Sequence, residues 1–285
     1  MPSEFTDDEV LLALLRDRGV DAQIVAWDVD GIDWDGFDLV VIRSTWNYTS
    51  HYDRFLQWTD SIGERLQNSP ALVRWNSDKR YLGDLADAGL AVVETHYVAP
   101  GDAPPELDGE VVVKPAVSVG ARSTGRFGSE RVDAARALIA RITSMGGTAM
   151  VQPYYASVDT EGETAMVFID GEFSHALRKR AVLRPNEVAP IRDDAIGAAE
   201  VMYDPNLVHA GSATASEVRF AEAVIDEIRR RFGAPLYARV DVICAPDGSP
   251  VLLELEAIEP SLYFDEAPGV AERLADAILA RGRST

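Results

Sequence analysis

Tyr237-Ala-Arg-Val-Asp-Val-Ile243 and Val251-Leu-Leu-Glu-Leu-Glu-Ala257, joined through the turn Asp247-Gly248, are the most informative stretch of the chain. Both runs alternate charged and apolar residues, the period of a β-strand with two unlike faces. Arg239, Asp241, Glu254 and Glu256 therefore share one face of a two-stranded ribbon. Val240, Val242, Leu253 and Leu255 are expected on the other. One face then gathers three carboxylates and a guanidinium. A hard cation such as Mg²⁺ takes oxygen ligands from one or two carboxylates together with substrate phosphates, so this pattern suits it. Taken alone, the pattern equally describes a solvated strand face with surface ion pairs.

Upstream segments shift that balance. Val111-Val-Val-Lys-Pro115 reads as a β-branched strand with Lys114 near its end, and lysine is rarely buried without an anionic partner. A loop over 117–128 follows, with Ser118, Gly120, Ser123, Thr124 and Gly125. Small residues let backbone N–H groups approach phosphate oxygens closely, although mobile surface loops share the composition. No Gly-Lys-Ser/Thr ends the loop, so it is not a Walker A motif, nor is it a dinucleotide fingerprint. Asn76-Ser-Asp-Lys79 opens a helix and sets Lys79 in its first turn, where a cation is disfavoured unless an anion or solvent compensates. Met150-Val-Gln-Pro-Tyr-Tyr155 runs from a strand into a linker that offers a purine an aromatic wall, or is simply a turn between subdomains.

Changes of periodicity mark the remaining elements. A helix is expected over 7–18, stopped by Gly19, then strands over 22–27 and 38–43, helices over 51–66 and 77–88, and a strand over 91–98. That alternation indicates a parallel sheet with covering helices. After a turn-rich 100–109, a strand over 111–115, a helix over 132–142 and a strand over 149–153 make a small unit. A hairpin over 163–169 and 173–180, turned at Asp170-Gly171, a polar stretch, a helix over 216–232, the opening ribbon and a helix over 269–281 complete the chain. The division expected is an N-terminal α/β substrate domain over 1–100, a lid over 101–155 and a catalytic subdomain over 156–285.

Composition limits the function. The chain has 285 residues, 47% of them hydrophobic, enough for a sizeable core around a cleft. A formal net charge of -20 argues against a nucleic-acid partner, so any nucleotide site is a local basic island. No run is apolar enough to span a membrane and no secretory signal is recognisable, which makes the cytoplasm the expected address. Cys244, the single cysteine, excludes an intramolecular disulfide and reads as a buried inert thiol. The four histidines show no metal-ligand spacing.

The order of a lysine near a helix start, a Lys-Pro strand, a Gly/Ser loop, a hinge, a Gly-Glu strand, Arg239-Val-Asp241 and Glu254-Leu-Glu256 resembles an ATP-grasp ligase from Asn76 to Pro260. Within that superfamily the pattern is similar to the D-alanine–D-alanine ligase, glutathione synthetase and RimK-like group. Arg43-Ser-Thr-Trp-Asn-Tyr48 and Leu253-Glu-Leu-Glu-Ala-Ile-Glu-Pro-Ser261 bring it nearest to the O-ureido-D-serine cyclo-ligase type. The resemblance implies the ATP-grasp α/β fold, with an N-terminal parallel α/β domain and the nucleotide between an α+β lid and an α+β C-terminal domain. It further implies ATP and Mg²⁺, small carboxylate and amine substrates, and a homodimer.

Carried over residue by residue, Lys79 and Lys114 would hold phosphates under a loop containing Ser118, Gly120 and Ser123. Gln152 and Tyr154 would flank adenine, with Glu163 near the ribose. Asp241, Glu254 and Glu256 would hold the metal. Arg239 would stabilise the transferring phosphoryl group, assisted by Arg178 or Arg180. Arg43, Ser44 and Trp46 are the candidates for the substrate. Arg43 ends an apolar strand at the edge where open α/β sheets bind ligands, while Trp46, Tyr48 and His51 fit a pocket or a core equally. Three departures stand out: Glu256 where relatives often have Asn, Gln152-Pro153 where an acid is common, and a first helix with no strand before it. A small-molecule kinase or a degenerate nucleotide-binding module would use the same site.

Overall fold

Asp7, Asp8 and Glu9 crowd the first turn of α1 (Thr6–Asp17), where the helix dipole favours acids, and Arg16 lies in its last turn. The computed structural model describes residues 6–188, 204 and 206–282. After α1 come β1 (Val40–Val41), α2 (Tyr52–Ile62), β2 (Leu66–Gln67), α3 (Pro70–Asn76) and α4 (Tyr81–Asp87). β1 and β2 pair in parallel, Val40 opposite Leu66. Their core is aromatic: Trp27, Tyr48 and Phe55 pack with Ile42, Ile62 and Val73.

Several expected elements in this region differ. Residues 22–27 form no strand; Ile24 is exposed, and Trp27 is drawn into the aromatic cluster, where its indole N–H donates to Asn47 at 2.8 Å. An apolar run signals burial, but a strand also needs a pairing partner. The strand over 38–43 shrinks to two residues. The helix over 51–66 stops at Ile62 because Gly63 caps it at φ 64°. The helix over 77–88 shortens to α4, and α3 before it was not expected. α3 is set by the Ser69 cap and by Pro70 at its first turn, and 77–80 form the turn between α3 and α4, so Lys79 precedes α4 instead of lying within it.

A second, four-stranded antiparallel sheet holds β3 (His96–Val98), β4 (Val111–Pro115), β5 (Gly125–Phe127) and β6 (Ala149–Pro153), in the order β3-β6-β4-β5. Strand alternation sends Val111 and Val113 to α5 (Val132–Ser144), which meets them with Ala135, Leu138, Ile139 and Ile142. Val112 and Lys114 consequently face the other way. β5 lies inside what the composition alone suggested was all loop.

The third sheet follows the short helix α6 (Ser157–Thr160) and contains β7 (Glu163–Ile169), β8 (Glu172–Lys179), β9 (Val208–Gly211), β10 (Tyr237–Cys244) and β11 (Pro250–Glu256). Its antiparallel order is β11-β10-β7-β8-β9. The β7–β8 turn places Asp170 and Gly171 at φ 53° and 77°, the geometry an Asp-Gly hairpin turn requires. α7 (Ala215–Phe232), opened by a Thr214–Glu217 capping box, buries Ala221, Val224, Ile225 and Ile228 against Met166, Phe168, Val240 and Val242. Each Val or Ile so buried contributes roughly 1.5–3 kcal/mol. α8 (Val270–Gly282) and Leu11 of α1 cover the opposite face over Val167 and Leu177.

One detail of the ribbon departs from strict alternation. The register shifts between Asp241 and Val242, so Leu252 pairs with Val242 and joins the α7 core. Leu253 instead packs with Val93, Ile243 and Val251 and lines the cleft beside Glu254, not the face of Val240.

Candidate active site

The expected charged face forms. Arg239 lies opposite Glu256 and Asp241 opposite Glu254 on β10 and β11. Arg239 clasps Asp241 with Nε–Oδ1 at 2.8 Å and Nη2–Oδ2 at 3.0 Å, and also pairs with Glu256. Lys179, at the end of β8, reaches Asp241 Oδ2 at 2.8 Å and Glu163 Oε2 at 3.0 Å. Gly162 lets the backbone entering β7 pass close to the end of β8: its φ is +73°, and a Cβ there would lie 2.3 Å from the Lys179 carbonyl oxygen. Burial alone would raise the pKa of Asp241, yet Arg239 and Lys179 outweigh it and hold the carboxyl at about 2. Burial also works against Glu254, where Lys79 and Lys114 win and lower the pKa. For Glu256 burial wins over Arg239, and the pKa is raised.

Two lysines face these acids. Lys79 donates from Nζ to the Ser118 carbonyl at 2.6 Å and lies 3.3 Å from Glu254 Oε1. Its backbone N–H donates to Ala116 O at 2.9 Å. Lys79 is also tied to β11 from both sides along the chain. The Asn76 amide donates to Leu255 O and accepts from Ala257 N–H, and the Tyr81 hydroxyl bonds both backbone groups of Leu255. Lys114 is 8% exposed, and among the described residues no hydrogen bond or ion pair holds its ammonium. Burial lowers its pKa, while Glu254 opposes that shift.

The cleft between the second and third sheets is lined by Lys79, Lys114, Ser118, Gly120, Gln152, Tyr154, Glu163, Lys179, Arg239, Glu254 and Glu256. Val158, Ile243 and Leu253 add an apolar wall beside Tyr154 and Tyr155. Gln152 is buried and donates to Thr95 Oγ1 at 2.8 Å. The Arg126 guanidinium stacks 3.5 Å above the Tyr154 ring. Asp241 sits behind the wall, reaching the cleft through Arg239 and Lys179.

Other expected residues lie elsewhere. Ser123 is not in the lining; its neighbour Thr124 is. Arg178 turns to Glu217 at 3.7 Å and to Ser212 O, and the exposed Arg180 lies outside the lining. β8 alternates, so Lys179 must face away from both, and it is the cation that enters the cleft. Arg43 bonds Asp8 and Pro260 O, each at 3.2 Å, and Ser44 donates to Asp8 at 2.5 Å. Trp46 does not line the cleft, because the turn after β1 brings Tyr48 there. Glu259 also lines it and escaped the sequence reading; burial, Glu256 and Glu254 outweigh Lys79 and push its pKa up to about 8. The run Leu253–Ser261 that carries the family resemblance contains it, but a lone acid between Ile258 and Pro260 has no pattern of its own that assigns it a role.

Two antiparallel sheets closing on a cleft, with lysines on one side and a carboxylate-bearing ribbon on the other, define an ATP-grasp ligase, an enzyme that forms C–N bonds. The fold is shared with D-alanine–D-alanine ligase from Bacillus anthracis complexed with ATP, at TM-score 0.58 and 14% identity over 81% of this chain and 74% of that one. It is shared too with the ATP-grasp ligase PsnB complexed with a minimal precursor, at TM-score 0.61 and 17% identity over 99% and 97%. The crystal structure of the D-cycloserine synthetase DcsG matches at TM-score 0.85 and 32% identity over 97% and 95%. The cycloserine biosynthesis protein DcsG of Streptomyces lavendulae is 34% identical over 286 residues, 95% of this chain and 92% of that protein. Residues 1–68 match the family described as D-cycloserine synthetase DcsG, N-terminal domain. The chain belongs to the DcsG family of ATP-grasp ligases.

Proposed function

We propose that this ligase closes a ring within one amino-acid-like molecule, with O-ureido-D-serine as its substrate class, using ATP and Mg²⁺ in the cleft. In this reading 1–100 serves the substrate, 101–155 is the lid and 156–285 carries the catalytic ribbon. The substrate carboxylate oxygen bonds to the γ-phosphorus and ADP leaves. A nitrogen of the same molecule then bonds to the acyl carbon, losing its proton as phosphate departs. Such chemistry needs positioning and charge neutralisation more than a protein nucleophile. Lys79, Lys114 and the loop at Ser118 and Gly120 hold the phosphates, and Gln152, Tyr154 and the apolar wall take the base. Arg239 and Lys179 supply positive charge where the phosphoryl group transfers, each fixed in place by Asp241.

The donor set fits Mg²⁺ carried in with a nucleotide. Glu254 and Glu256 present hard oxygens into the cleft, with Asp241 sharing their face, and a phosphate-bound Mg²⁺ needs only one or two of them. Among the described residues no three acids, histidines or cysteines form a ready-made cage. When bound, Mg²⁺ neutralises charge on the transferring phosphoryl group.

The observation that carries this reading is Lys114, a residue 8% exposed whose unpartnered ammonium opens into the cleft beside a ribbon of acids, a receptor for an anion such as a triphosphate. The test is ADP release with Mg²⁺ and O-ureido-D-serine, with the cyclic product identified by mass spectrometry. Lys114→Met should weaken ATP binding on the order of 10- to 100-fold by calorimetry without lowering thermal stability, since it removes a buried charge that has no partner. Unchanged ATP affinity in that variant, or ADP formation that ignores the amino acid, would sink the assignment.

A further inference from the structure

The ring-closing chemistry leaves two charged groups of the cleft unused, Glu163, which pairs with Lys179, and Glu259. Glu259 follows β11 by three residues, and the backbone on each side of it is pinned. The Tyr237 hydroxyl donates to Ile258 O at 2.9 Å and also to Ile42 O, just beyond β1. Arg43 donates from Nη1 to Pro260 O at 3.2 Å. These two pins fix the direction in which the intervening side chain leaves the backbone, and it enters the cleft. There it meets Tyr48 from the N-terminal region, with Glu254, Glu256 and Lys79 beyond.

The charges of this corner do not balance. Glu254 has Lys79 and Glu256 has Arg239, but among the described residues Glu259 has no ion pair and no hydrogen bond to another residue. Arg43, the nearby arginine, is committed to Asp8 and Pro260. A third carboxylate kept beside two others without a cation is unfavourable, and its raised pKa expresses that cost. A fixed, pre-aimed carboxylate of this kind is complementary to a ligand cation.

We propose that Glu259 binds the ammonium group of the amino-acid substrate and so turns the carboxylate of that substrate toward the phosphates. This rests on the ring-closing reading only for the choice of probe. The experiment titrates O-ureido-D-serine and its N-acetylated form into the full chain loaded with Mg²⁺ and a non-hydrolysable ATP analogue, without turnover. The parent should bind the free ammonium at least about tenfold more tightly than the acetylated form. Glu259→Gln should remove that preference, Glu259→Asp should retain part of it, and affinity for the ATP analogue should stay within about twofold. A parent that shows no preference, or a Gln variant that keeps it, overturns the assignment. So does an equal loss of nucleotide affinity, which would mark a structural role. If the preference is present and lost as expected while no ADP or cyclic product forms, the ammonium assignment stands and the ring-closing reading fails.

Discussion

Asp241 is the residue on which the site's electrostatics turn, because among the described residues it alone pairs with both Arg239 and Lys179. Its carboxyl is 1% exposed, so it steadies two cations in place while leaving Glu254 and Glu256 at the surface of the cleft. Its pKa is depressed to about 2, below the unfolded value near 3.9, so the native state binds fewer protons. The stabilisation is therefore complete above about pH 4 and is lost as pH falls through about 2. Urea unfolding at stepped pH should show that loss in the parent and a shallower one in Asp241→Asn. At pH 7 the same variant should be about 3 kcal/mol less stable, since it leaves two buried cations short of a partner, although Glu163 and Glu256 still engage them.

Among elements, β5 is the one whose behaviour matters most for the loop before it. Arg126, at its centre, makes bidentate contacts to Glu110 and to Asp159, bonds Leu183 O and stacks on Tyr154. Its backbone N–H also donates to Glu187 O, and Gly125 bridges Val188. One residue thus joins the Gly/Ser loop, the Tyr154 end of the cleft and the segment over 181–188. Arg126→Ala should cost on the order of 2 kcal/mol, less than a wholly buried pair because both carboxylates are partly exposed. Hydrogen–deuterium exchange should accelerate across 117–128 and 181–188 and leave α7 unchanged. Elements with their own periodicity, such as α5, α7 and the β7–β8 and β10–β11 hairpins, were legible in the sequence. β5 and β9 were not, because three or four residues among glycines and polar groups carry no pattern, and their pairing comes from distant partners. The same cause hid the orientation of Lys179: a row of three cations announces charge, and only the register of β8 on β7 decides which one turns inward.

For the whole molecule, a formal charge of -20 surrounds a cleft in which Lys79, Lys114, Lys179 and Arg239 are gathered. If, as proposed, the metal is held only together with phosphates, the free protein has no metal-dependent fold. EDTA should therefore abolish ADP formation while leaving the melting temperature of the nucleotide-free chain unchanged. ATP with Mg²⁺ at a hundredfold excess over its Kd should add about 2.7 kcal/mol, and EDTA should cancel that gain. A drop in melting temperature on chelation alone would show a resident metal. The Asn76 and Tyr81 bonds to Leu255 bear on how such a cleft works, for they rivet Lys79 to the carboxylate ribbon. If the jaw opens, Lys114 and Ser118 swing off with the upper sheet while Lys79 stays behind. The seam that must part then includes the bonds joining Lys79 to Ala116, Ser118 and Tyr97, and the two lysines proposed to grip a phosphate divide into a stationary one and a travelling one.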